Sequence, residues 1–230
     1  ANYRYPAPIS QSWRLFDCRS FRINWLSHQH QRPKTSGVTK NKAAHDLEMR
    51  AYDGIISVQM TSLWPRLEPL LPRVEKPARY IGCEDGARTN IFKQNATSWL
   101  LTYPDTYEIG LPNQGLQILY ELLNERPDAF AERSYAPWTD MEAEMRSAGL
   151  PLFSVDTQRP AADFYILAFN ITAEHLYTNV LNCIDLAGIS IHAADRCEED
   201  PLVGAGGHCA YNPEPLADFI DFFVMGDGEE

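Results

Sequence analysis

The stretch Phe164-Tyr165-Ile166-Leu167-Ala168-Phe169-Asn170-Ile171 is apolar at almost every position, so both of its faces must be buried. Side chains alternate across a strand, and a strand buried on both faces belongs inside a parallel sheet covered by helices. Around it strands and helices alternate. Trp99-Leu100-Leu101-Thr102-Tyr103 reads as a strand stopped by Pro104, and Asn113 can cap a helix carrying Leu116, Leu119, Tyr120 and Leu123 on one face as far as Pro127. Arg133 to Ala136 reads as a weak second strand, followed by Thr139-Asp140-Met141-Glu142 as a capping box. Met141, Met145 and Ala148 line the next helix up to Gly149. Leu176, Val180, Ile184 and Ala187 recur at helical spacing up to Gly188, and Leu202-Val203-Gly204-Ala205 gives a fourth strand. Glu214 to Phe219 makes a short helical turn before a fifth strand at Phe222-Phe223-Val224. The expected fold is α/β: a flavodoxin-like, doubly wound, mainly parallel five-stranded sheet in a Rossmann-like three-layer sandwich. A regular fold of this kind adds a helix after its fifth strand, so the chain reads as truncated at its C-terminal end.

Composition divides the 230 residues. Residues 1–59 hold 9 Lys/Arg against 4 Asp/Glu, and residues 60–230 hold 11 against 27, so a basic, aperiodic stretch precedes an acidic, periodic body. The expected organisation is a disordered or non-native extension over 1–59, a helix and linker over 60–97, and the sheet domain over 98–230. In the second part Ser62 is read as the N-cap of a short helix limited by Pro69, and Pro72 to Gly86 as a linker over the surface. An acidic body lacks the clustered cations that phosphate backbones need, which argues against nucleic acid. Five scattered cysteines without a C-x-x-C pair fit reduced thiols in a cytoplasm, and no run is long and apolar enough to span a membrane.

Four loops follow strand ends on one rim. They contain Asp105, Thr106, Tyr107 and Gly110; Asn170 and Thr172; Gly206, Gly207 and Glu214; and Gly226, Asp227, Gly228 and Glu229. Small residues there let backbone N–H groups approach an anionic or amide-rich ligand. Each glycine taken singly is as well explained as a turn former. A dinucleotide fingerprint fails, because Cys209 stands where the third small residue belongs and Asn212-Pro213 interrupts the helix. His175 beside Glu174, adjacent His208 and Cys209, the acidic run Glu198 to Asp200 and the His28/His30 pair read as solvated residues, so no catalytic group and no metal site is assigned.

Several separated blocks then agree in order with one family. L-W-P-R-L-E-P-L-L-P-R from Leu63, Y-P-D-T-Y-E-I-G-L-P-N-Q-G from Tyr103, A-E-R-S-Y-A-P-W-T-D-M-E from Ala131, Y-T-N-V-L-N-C-I-D-L-A-G-I from Tyr177 and G-G-H-C-A-Y-N-P-E-P from Gly206 to the terminal G-D-G-E-E resemble the N-terminal region of radical SAM proteins with a cobalamin-binding-like domain. The resemblance runs from about Met60 to Glu230. It implies a partner in a downstream radical SAM barrel, which would hold an iron-sulfur cluster and S-adenosylmethionine on a C-x-x-x-C-x-x-C motif and act on an unknown substrate. It also implies cobalamin at the rim. Pro104-Asp105-Thr106-Tyr107 stands where a D-x-H-x-x-G motif would supply an axial His, so cobalamin would bind without a protein imidazole. The other reading is a cofactor-free structural or substrate-docking domain.

Overall fold

The structure, a computed structural model, describes residues 62–84, 86–87, 93, 96–226 and 228, with the two-residue strand Leu15–Phe16. The rest of the stretch read as an extension lies outside the described residues. The strands are Leu15–Phe16 (β1), Thr97–Tyr103 (β2), Ala129–Tyr135 (β3), Ile166–Asn170 (β4), Leu202–Gly206 (β5) and Phe222–Val224 (β6). The α-helices among the described residues are Trp64–Leu67 (α1), Tyr107–Gly110 (α2), Gln114–Glu125 (α3), Thr139–Ala148 (α4) and Tyr177–Leu186 (α5).

All strand pairs are parallel, in the order β1-β6-β5-β4-β2-β3. Counted from β2, the last five strands have the flavodoxin-like order 2-1-3-4-5. The winding reverses between β2 and β4, paired from Trp99 with Ile166 to Thr102 with Phe169. In such sheets the carboxyl ends at that reversal form the natural crevice. The central strand is as buried as its composition requires: Ile166 and Phe169 are 2 % exposed and Leu167 is 0 %. They share a core with Leu100, Val203, Val180 and Ile184.

Three local readings change. The second strand is not a weak stretch from Arg133 but seven buried residues from Ala129. Its polar residues Glu132, Arg133 and Ser134 hid it, because their partners come from distant segments. The capping box does not form: Trp138 is the N-cap of α4 and Thr139 lies within the helix. Asp140 instead accepts the Glu75 and Met141 N–H groups, at 2.7 and 2.6 Å. The Pro/Gly-rich stretch is not a surface linker. Its prolines, with φ already fixed, build 3-10 turns over Glu68–Arg73 and Pro77–Tyr80. These turns bury Leu70, Val74 and Tyr80 against Met141, Met145, Leu150 and Phe153 as a second core.

The loop before β4, together with Asn124 of α3 and Lys93, closes the β3 edge, whose free N–H and C=O groups would otherwise invite another strand. Asn124 exchanges two 3.0 Å hydrogen bonds with the backbone of Ala131. The Arg133 N–H donates to Asp156 at 2.7 Å, its carbonyl accepts from Val155 N–H at 2.8 Å, and Lys93 reaches the Ala129 carbonyl at 3.1 Å.

On the same strand Glu132 is 3 % exposed. Burial raises its pKa, against the opposing effects of the Ser154 and Thr157 hydroxyls and of Arg159. Between the ordinary carboxyl value and the raised one, the folded chain therefore holds a proton that the unfolded chain has lost. The contribution of this group is greatest below that window and falls as pH rises through it. Wild-type Tm should thus decline relative to Glu132→Gln as pH rises above the ordinary carboxyl range. A Tm difference that does not change with pH would show that Glu132 is hydrated.

Candidate functional site

The site candidates from β2, β4 and β5 meet at the winding reversal. Leaving β2, Asp105 accepts the Thr106 N–H on its carboxylate at 2.7 Å and the Ala136 N–H on its carbonyl at 3.0 Å, which ties this loop to the end of β3. Thr106 opens α2, whose Tyr107 ring meets Tyr135 edge-on at 5.4 Å. Gly110 is buried against the same ring.

From β4, the Thr172 and Tyr103 hydroxyls hydrogen-bond at 2.8 Å, so one pair spans the two strands flanking the reversal. Asn170 donates to Asn113 Oδ1 at 3.0 Å, and that oxygen also caps α3 by accepting the Leu116 N–H at 2.9 Å. Asn179 of α5 donates to the Pro104 carbonyl at 2.9 Å. On the β5 side, Gly206 pairs with Asn170 in register, and its carbonyl accepts the Ile171 N–H at 2.8 Å. Gly207 has φ 91°, and a Cβ there would stand 2.6 Å from Asn170 Oδ1 and 2.8 Å from the Ile171 carbonyl oxygen. That glycine is required by the fold at this point, with or without a ligand.

The remaining candidates lie elsewhere. Glu214 is exposed in the turn Glu214–Leu216. Gly226 is exposed with φ 99°, and by Gly228 the chain has crossed to α3, where a Cβ would come 3.3 Å from Leu119 Cδ2. Asp227 and Glu229 fall outside the described residues. The sequence reading missed Tyr103 and Asn179 as rim residues and took Asn113 only as a cap. The cap signal was legible, but its second role depends on Asn170, 57 residues away.

Among the described residues no acid-base pair stands at the crevice. His175 and His208 are exposed on separate turns. Burial raises the Tyr107 and Tyr135 pKa values, Tyr107 also through the Glu84 carboxylate, so both stay protonated phenols. Burial likewise pushes the Cys183 thiol up to about 12, leaving it inert in the core. Among the described residues no three His, Cys, Asp or Glu side chains converge on a metal position. A narrow pocket beside the rim is lined by Arg79, Tyr80, Tyr107, Tyr135 and Pro137 and has room for about one water molecule.

Fold and rim together define a flavodoxin-like parallel α/β module with an interlocked switch point. Residues 115–230, half of the chain, match the family described as radical SAM proteins, N-terminal, and the chain belongs to that family. No curated protein and no solved structure matches it.

A corrinoid seated at the reversal would need the space between the β2 and β4 loops. The Tyr103–Thr172 and Asn113–Asn170 bonds span that space, and Asn179 holds Pro104 from the α5 side. Among the described residues, these side chains hydrogen-bond to one another or to the backbone across the space between the strands. Among the described residues no helix is long and apolar enough to cross a membrane.

Proposed function

We propose that this chain is the N-terminal docking module of a radical SAM protein, a cofactor-free sheet whose rim receives the domain carrying the iron-sulfur cluster and S-adenosylmethionine. The reading rests on a crevice bridged by the module's own side chains while large apolar ones stand exposed around it. Ile109 is 54 % exposed, Trp138 43 %, Tyr211 68 % and Met225 40 %, each from the segment following a different strand. Ile118, Leu122, Tyr165, Ile191 and Leu202 are exposed elsewhere on the fold, so it is the placement of these four around the bridged crevice that supports a surface to be covered. Neither nucleic acid nor a membrane is needed in this reading.

The second reading, a corrinoid lying over the rim rather than within it, is favoured by the small residues Gly206 and Gly207 at the end of β5. Its cobalt would lack a protein imidazole from the β2 loop, where Pro104-Asp105-Thr106-Tyr107 holds no His, while His175 and His208 follow β4 and β5. Titration of hydroxocobalamin into a full-length radical SAM polypeptide carrying this chain separates the two. The docking module should give no saturable spectral change. Saturable binding would replace it with the cofactor reading, and loss of an imidazole-type spectrum in His175→Ala or His208→Ala would locate the axial ligand.

A further inference from the structure

The exposed apolar residues of the rim fall into two pairs, one on each side of the bridged crevice. Tyr211 and Met225 follow β5 and β6, whereas Ile109 and Trp138 follow β2 and β3. Among the described residues, the second pair is braced by a common support. The Trp138 N–H donates to the Tyr80 hydroxyl at 3.2 Å, and its ring covers the Arg79 guanidinium at 5.2 Å. Arg79 is itself 9 % exposed and reaches Glu108, the neighbour of Ile109 in α2, through Nε at 3.0 Å and through a second nitrogen at 2.9 Å. Lys76 adds a 3.2 Å contact to the same carboxylate. Burial opposes the charge on Arg79, but Glu108 more than offsets it and raises the pKa, so the guanidinium stays a cation under the indole.

We infer that Trp138 is the anchor by which the rim grips the radical SAM domain, and that the strap from Lys76 to Glu84 presets its position. The inference rests on the docking reading above. The occupant follows from the family itself, whose members carry this region at the N-terminus of a radical SAM protein. Trp and Arg dominate binding where they are already ordered, because little side-chain entropy remains to be lost. The strap supplies that order: Tyr80 is 7 % exposed, and Glu84 pairs with Arg133 of β3 at 3.3 Å. A partner covering the indole would also exclude water from the Arg79–Glu108 pair and strengthen it. Tyr211, 68 % exposed on a short 3-10 turn, lies across the crevice from this support.

The test uses the full-length radical SAM polypeptide carrying this chain, with the interdomain linker cut by protease and the dissociation rate of the two halves measured. Trp138→Ala should speed dissociation about tenfold or more. Arg79→Lys, which keeps the charge at Glu108 but loses the planar stack, should have a smaller effect in the same direction. Tyr165→Ala, at a residue 55 % exposed at the amino end of β4, should stay within about twofold, and Trp138→Ala should lower the melting of the sheet only by the loss of its stack on Arg79, leaving the module folded. If Tyr211→Ala or Met225→Ala speeds dissociation and Trp138→Ala does not, the anchor assignment is wrong while the docking reading stands. If none of the four rim residues matters, the docking reading fails, and the anchor with it.

Discussion

Truncating Asp156 to alanine should cost about 3–5 kcal/mol of folding stability, because it strands a buried cation. Asp156 is 4 % exposed and Arg133 5 %. One carboxylate oxygen accepts from the guanidinium at 2.7 Å, and the other accepts the Arg133 backbone N–H, also at 2.7 Å. Burial works against the charge on Arg133, and the Asp156 carboxylate overcomes it and raises the pKa. With Asp156 gone that support is lost, but the group remains a cation because a guanidinium is not deprotonated in proteins. What would remain is Glu84 at 3.3 Å and the face of Tyr120 at 4.6 Å. The same substitution also leaves the Arg133 N–H without its partner on the β3 edge. Replacing both ends of the pair, as in Asp156→Ala with Arg133→Met, should recover part of the loss, since the desolvation cost of the cation disappears with it. Urea unfolding of the two single variants and the double variant gives the coupling directly. A loss below about 1 kcal/mol in Asp156→Ala would mean that water reaches Arg133.

The same ion pair explains where sequence reasoning stopped. A strand buried on both faces by apolar residues announces itself, as Ile166 to Phe169 do. β3 is equally buried but carries Glu132, Arg133 and Ser134, which are satisfied by Thr157, Asp156 and the Phe153 carbonyl. No periodicity within the strand can reveal partners about twenty residues farther along, so only its last residues were legible. The linker reading over Pro72 to Gly86 has a related cause: prolines mark turns whether or not those turns pack, and the tertiary contacts of Val74 and Tyr80 decide it. At the rim, strand ends located Asp105, Asn170 and Gly206 because the fold class dictates where loops gather. The closure of the crevice was not legible, since Tyr103 and Thr172 are 69 residues apart and no spacing rule links them. Nor could a glycine be sorted from sequence into ligand contact or backbone necessity; at Gly207 the positive φ and the adjacent Ile171 carbonyl decide it.

Gly82→Ala should be about as damaging as loss of the ion pair, for a wholly steric reason. Gly82 has φ 62°, and a Cβ built on it would lie 1.8 Å from the carbonyl oxygen of Val155 and 2.8 Å from its carbonyl carbon. Both are backbone atoms, so no rotamer change relieves the overlap. Val155 cannot withdraw freely either, because its N–H bonds the Arg133 carbonyl on the β3 edge at 2.8 Å. The variant must therefore separate the strap from the loop that closes β3, losing the contacts of both. A left-handed conformation costs a residue with a Cβ about 1–2 kcal/mol, and forced overpacking typically adds about 1–3 kcal/mol, so a total near 3 kcal/mol or more is expected. Gly149 provides the internal reference: its φ is also 62°, but nothing lies within 4 Å of a Cβ placed there. Gly149→Ala should show the conformational cost alone, about 1–2 kcal/mol. The difference between the two variants in denaturant unfolding measures the contact between Gly82 and Val155, and equal losses would mean that the strap does not lie against that loop in solution.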